Sequence, residues 1–174
     1  MLQWLRGCYA KLALKVNESK TAVGAVWGRK FLGYRLFRNS QGEVKLGVSA
    51  QAMTRLKQRL RDLTRSTRGR SLEQVAQDLR TYVPGWKRYF QRVQTVTDLR
   101  QLDSWLRYRL RVVRLRQWRH GPTIYRELRK LGASETLAAC TAANSRGGWR
   151  TAREGLNRML PNAYFEALGV PRFS

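Results

Sequence analysis

The sequence predicts a mainly α protein: a helical bundle preceded by a small helix, strand and hairpin. Three observations carry that prediction. After Val48 the apolar residues recur at helical spacing, serines stand at cap positions ahead of two of those runs, and the clearest hairpin pattern lies before Val48. The 174 residues suffice for one ordinary domain with a small appendage, and a 43% hydrophobic content with six tryptophans can supply a core.

Leu2, Leu5, Tyr9 and Leu12 repeat at near-helical spacing, so residues 2–11 are expected to form a helix. "LALKV" (12–16) alternates as a short strand would, and "NESKT" follows as a polar turn. The opening "MLQWLRGCYAKLALK" is basic and amphipathic, as a transit peptide is, but reads better as a helix leading into a strand. Phe31 to Phe37 and Val44 to Val48 flank an Asn-Ser-Gln-Gly turn and predict a β-hairpin.

Ser49 is a candidate N-cap for the first long helix, whose Met53, Leu56, Leu60 and Leu63 make one apolar stripe. "TRSTRGR" then reads as an exposed basic loop. Ser71 with Gln74 predicts a capping box before Leu72, Val75, Ala76, Leu79, Tyr82 and Val83. Pro84-Gly85 should kink or split that helix. The third long helix is expected from about Thr97-Asp98 to His120, stopped by Gly121-Pro122, with smaller helices beyond. The expected units are residues 1–48, 49–120 and a helical extension, 121–174, packed on the second.

Charge narrows the function. Lys plus Arg number 35 against 11 Asp plus Glu, a formal net of +24. Such a chain repels itself unless a polyanion neutralises it. Arginine supplies 27 of the cations, which favours bidentate phosphate contacts and stacking on bases. Nucleic acid is the expected partner, ahead of an anionic membrane surface. Cys8 and Cys140 lie far apart and His120 is the only histidine, so neither a disulfide framework nor a zinc site is expected. No cofactor or metal is implied, no apolar run is long enough to span a membrane, and reduced thiols fit a cytoplasmic compartment.

Residues 98–120 read "DLRQLDSWLRYRLRVVRLRQWRH". On an ideal helix Leu99, Leu102, Leu106, Leu110 and Val113 share an arc. Arg100, Arg107, Arg111 and Arg114 flank it on one side; Arg109, Arg116 and Arg119 flank it on the other. Both rows are expected to present cations to a groove, with Asp103 as the local counter-charge. The candidate RNA-binding set adds Arg55, Arg59, Arg61 and Arg65 on the first long helix, Arg68 and Arg70 in the basic loop, and Lys87 and Arg88. Trp105 and Trp118 are candidates for base stacking as well as for the core, with core packing the safer reading of each.

No catalytic set is visible. Asp62, Asp78, Asp98 and Asp103 include no Asp-Asp pair, and there is no Walker sequence, GxSxG or close Cys/His dyad. A binding protein without catalytic residues is expected.

"LALKVNESKT" with "RKFLGYRLF", "RGRSLEQVAQDLRTYVPGWKRYF" with "LRQLDSWLRYRLRVVRLRQW", and the ending "LPNAYFEALGVP" together resemble the C-terminal part of bacterial group II intron-encoded reverse transcriptase/maturases. The first pair resembles the last palm motifs, so residues 1–48 would be a palm remnant. The second resembles the maturase-specific thumb/X domain. The resemblance implies a nucleoid- or RNA-associated protein that grips group II intron RNA and a template–primer duplex and promotes the RNA's active fold, while the ribozyme performs splicing. It would place Lys20 near an incoming nucleotide and Phe31, Leu32, Gly33 and Tyr34 near the primer terminus. The family's YxDD-type catalytic motif, its fingers motifs and a zinc-containing endonuclease have no counterpart here. Two other readings stand beside this one: a reverse transcriptase fragment active only with an upstream polypeptide supplying the missing palm, and a nonspecific basic nucleic-acid-binding protein.

Overall fold

The computed structural model describes residues 2–18, 21, 23–65, 69–144 and 156–174. Its order is α1 (Leu2–Lys11), β1 (Lys30–Phe31), β2 (Tyr34–Arg38), β3 (Val44–Val48), α2 (Ala50–Leu63), α3 (Leu72–Tyr89), α4 (Val96–Trp118), α5 (Gly121–Lys130), α6 (Glu135–Ala143), α7 (Leu156–Met159) and α8 (Asn162–Ala167). The protein is mainly α with one small antiparallel sheet, ordered β1-β2-β3. Among the described residues no helix is long and apolar enough to cross a membrane.

The N-terminal segment departs from expectation at two points. Residues 12–16 form no strand, because the amides of Leu12, Ala13 and Leu14 donate back to the Tyr9 and Ala10 carbonyls and close α1 with a turn. Leu12 is left 68% exposed. The run from Phe31 to Phe37 is not one strand either. Leu32 and Gly33 take φ of 49° and 82°, the positive pair that a two-residue type I′ turn demands, so β1 folds back on β2 with Phe31 opposite Tyr34. Across the Asn39–Gly42 turn, β2 pairs with β3, Tyr34 opposite Val48 and Arg38 opposite Val44. The Asn39 side-chain oxygen accepts from the amides of Gln41 and Glu43 and fixes that turn.

The sheet is fastened to the helices through its backbone. The Ser49 amide donates to the Gly33 carbonyl at 2.8 Å. Gln94 serves the outer edge of β3 twice: its amide donates to the Leu46 carbonyl and its side-chain oxygen accepts from the Leu46 amide. One residue thus covers an edge that would otherwise invite another strand.

The helices start where their caps say. Ser49 accepts from the Ala52 amide, and the capping box between Ser71 and Gln74 forms in both directions. Pro84 does not split α3, which runs unbroken from Leu72 to Tyr89. Pro84 and Gly85 face solvent, and so does Arg80, whose carbonyl loses its donor to the proline and can be satisfied by water; Val83 on the inner side stays fully buried. Gly121-Pro122 begins α5 rather than ending α4. The stop comes earlier, at Arg119, whose positive φ forms a γ-turn closed by the His120 amide on the Trp118 carbonyl.

The core runs from Leu56 to Phe173, and among the described residues none before Gly47 is fully buried. Helix α4 lies at its centre, contributing Leu102, Leu106, Leu110, Val113 and Leu115. Leu56 and Leu60 of α2, Leu79 and Val83 of α3, and Ile124 and Leu128 of α5 pack into the same cluster. The chain's last segment joins it through Leu156, Leu160, Phe165, Val170 and Phe173.

Candidate nucleic-acid interface

The two arginine rows of α4 meet different surroundings. At about 100° per residue, positions 103, 107, 111 and 114 fall on one side of the helix, and 105, 109, 112 and 116 on the other. The first side is covered by residues 156–174. Asp103 accepts from the amides of Phe173 (2.8 Å) and Ser174 (2.9 Å) and from the Ser174 hydroxyl (2.8 Å). Arg107 donates to the Val170 carbonyl, and Arg111 to the Leu160 carbonyl (2.9 Å) and the Asn162 side chain. Arg114 donates to the Tyr164 hydroxyl and reaches Glu73 at 3.5 Å.

The expectation that Arg107 and Arg111 face a groove is therefore corrected: each is 2% exposed. Burial pushes both guanidinium groups below the usual arginine range; for Arg107 the charges of Asp103 and Glu166 oppose that shift. The reason is the C-terminal segment, whose carbonyls would go unpaired in the core without donors from α4. Asp103, expected to balance the arginines, does favour the charged form of Arg107 and also holds the C-terminal residues Phe173 and Ser174.

The second side is only partly covered: Trp105, Arg109 and Val112 are half-buried and Arg116 is exposed. Arg109 is half-buried between α2 and α4; its Nε donates to the Thr64 hydroxyl at 2.8 Å, and that hydroxyl donates in turn to the Leu60 carbonyl. This fixes the guanidinium 5.3 Å from the centre of the Trp105 ring, with the Arg61 guanidinium 5.7 Å from the same ring. Burial, then the charges of Arg61 and Arg116, lower the Arg109 pKa. Like charges are being held together there, an arrangement that a bound anion relieves. Arg65, Arg116 and Arg119 are exposed.

The remaining candidates scatter. Arg59 lies 5.8 Å from the Tyr82 ring centre, at a cavity of about 630 Å3 that Arg70 and Trp86 also line. Arg70 is committed to Asp78 and to the Leu63 carbonyl. Lys87, Arg88 and Arg100 are exposed, while Arg68 and Lys20 lie outside the described residues. Phe31 and Leu32 are exposed at the I′ turn, with Gly33 and Tyr34 beneath. The turn is tied to the end of α3: the Tyr34 hydroxyl donates to the Tyr89 carbonyl, and the Tyr89 hydroxyl to the Leu32 carbonyl. Leu32, Gly33, Arg55, Tyr82 and Tyr89 share a cavity of about 530 Å3. Sequence reasoning missed Thr64, which positions Arg109, and Tyr82, the ring under Arg59. Neither carries a charge or a motif, and only the approach of α2 to its neighbours reveals them.

Fold and site together define a class: a helical domain in which Arg107, Arg111 and Arg114 of the central helix secure the C-terminal segment, while Arg109 is held half-buried beside a core-packed tryptophan and Arg61 and Arg116 stay exposed. The family model of the group II intron maturase-specific domain matches residues 53–132, from the first turns of α2 to just beyond α5. This supports the C-terminal portion of a group II intron maturase, and a reverse transcriptase parentage fits it. No curated protein matches the chain significantly.

Proposed function

We propose that this chain binds group II intron RNA and assists its folding and splicing, through arginine–phosphate contacts and without catalytic groups of its own. One observation carries the reading: inside the maturase-specific stretch, Arg61 and Arg109 flank Trp105 while Arg65, just past the end of α2, and Arg116 on α4 stand exposed. Preset guanidinium groups lose little freedom when they meet phosphates, and Trp105, packed on the core, holds two of them in place. The chain would act in the cytoplasm, with the ribozyme supplying the chemistry. Competition tests it. Folded group II intron RNA should displace a labelled copy of itself at least tenfold more effectively than an unrelated structured RNA of equal length. Equal displacement would leave a nonspecific basic protein as the better account.

A second reading has its own support. The I′ turn at Leu32–Gly33, tied to α3 and open to a cavity containing Arg55, is suited to a strand end, which favours a reverse transcriptase piece working on a template–primer duplex with an upstream polypeptide. Primer extension by the chain alone would overturn the non-catalytic reading; extension only after such a polypeptide is added would favour this second one.

A further inference from the structure

A second cationic concavity lies on the hairpin, outside residues 53–132 and distinct from the α2–α4 face. Its volume is about 1020 Å3, at the upper end of the roughly 300–1,000 Å3 usual for small-ligand sites. Trp27, Arg29, Lys30, Arg35 and Arg38 line it together with the first turn of α2, and no Asp or Glu does so among the described residues. The Arg38 guanidinium lies 4.9 Å from the Trp27 ring centre, yet Trp27 remains 43% exposed. Lys30 is held toward α2 by its hydrogen bond to the Gln51 side chain. Asp98 approaches Arg35 only to 3.9 Å, with both side chains more than 40% exposed, so it neutralises little.

We propose that this hairpin cleft binds single-stranded nucleic acid, with Trp27 as the stacking platform and Arg29, Lys30 and Arg35 holding the neighbouring phosphates beside the N-terminal end of α2. A single strand presents a base face and a phosphate within one nucleotide; a duplex hides its base faces in its own stack. The α2 dipole adds to the same positive field. Four cations around a partly exposed indole, with no carboxylate in the wall among the described residues, fit a polyanion better than a protein surface. The site does not depend on the α2–α4 face, and its test separates the two.

The full chain is titrated into fluorescein-labelled eight-nucleotide oligo(U), oligo(dT) and an RNA stem-loop, followed by anisotropy. Trp27→Ala should weaken oligo(U) binding about 5- to 100-fold, Trp27→Phe should restore most of it, and the stem-loop affinity should stay within twofold. The triple variant Arg61→Ala, Arg65→Ala, Arg116→Ala should show the converse. The oligo(U) to oligo(dT) ratio tells which strand chemistry the cleft prefers; binding of either supports the site. Should Trp27→Ala disturb the far-ultraviolet dichroism, Arg29→Ala with Arg35→Ala replaces it, and the salt slope for oligo(U) should fall by about 1–2. Failure of both oligomers to bind the parent chain, or variants indistinguishable from it, overturns the proposal. So does self-association through Trp27 without oligomer binding, which would assign the cleft to a protein partner.

Discussion

Arg107 and Arg109 sit two residues apart on α4, so about 200° of helix separates their side chains. Arg107 points at the C-terminal segment and donates a hydrogen bond to the Val170 carbonyl, whereas Arg109 is propped by Thr64 beside a tryptophan packed on the core. Both are cations in one basic run, and their sequence neighbourhoods do not tell them apart. A donor removed from the buried side leaves a carbonyl without a partner and a hole the size of a long side chain, each a recognised source of large destabilisation. Arg111→Ala should therefore lower unfolding stability by about 2–4 kcal/mol in a urea titration. Arg116→Ala, on the exposed side, should change it by less than about 0.5 kcal/mol. Equal effects from the two substitutions would mean that the tail is not secured through α4.

At the scale of elements, what could be read ahead of the structure was whatever depends on neighbours along the chain. The caps at Ser49 and Ser71, the stripe of α2 and the turn at Asn39 are local hydrogen-bonding and periodicity, and they form as their residues require. The departures have tertiary causes. "LALKV" alternates like a strand but finds no partner strand, and Pro84 is tolerated because Val75, Leu79 and Val83 anchor the inner face of α3. The I′ turn was missed because Leu32 rarely takes a positive φ, and only Gly33 beside it hints at one. Gly33 is also pinned from outside: a Cβ there would lie 3.1 Å from the Phe90 ring. Gly33→Ala should thus loosen the sheet's attachment by about 1–2 kcal/mol. Hydrogen exchange should report it as about 5- to 30-fold faster exchange at the Ser49 amide, which bonds to Gly33, with the amides of α4 unchanged. Unchanged exchange at Ser49 would show that the turn does not need glycine.

For the whole molecule the decisive quantity is +24, and the fold decides how much of it remains available. Arg107 and Arg111 are spent inside, and Arg70 and Arg114 are engaged by Asp78, Tyr164 and Glu73. Composition announced a polyanion partner, but which arginines face it was not legible, because residues 156–174 lie more than 40 positions from the α4 side chains they cover. The α2–α4 face keeps Arg61, Arg65 and Arg116 exposed, and the central claim rests on them.

Salt-dependent binding to folded group II intron RNA tests that claim most directly. With 6–10 phosphates engaged, the logarithm of the association constant should fall with the logarithm of salt at a slope of about −5 or steeper. The variant Arg61→Ala, Arg65→Ala, Arg116→Ala should bind more weakly, with a slope shallower by about 2–3 and an unchanged unfolding midpoint. A parent slope near zero, or a triple variant with the parent's affinity and slope, would contradict the account.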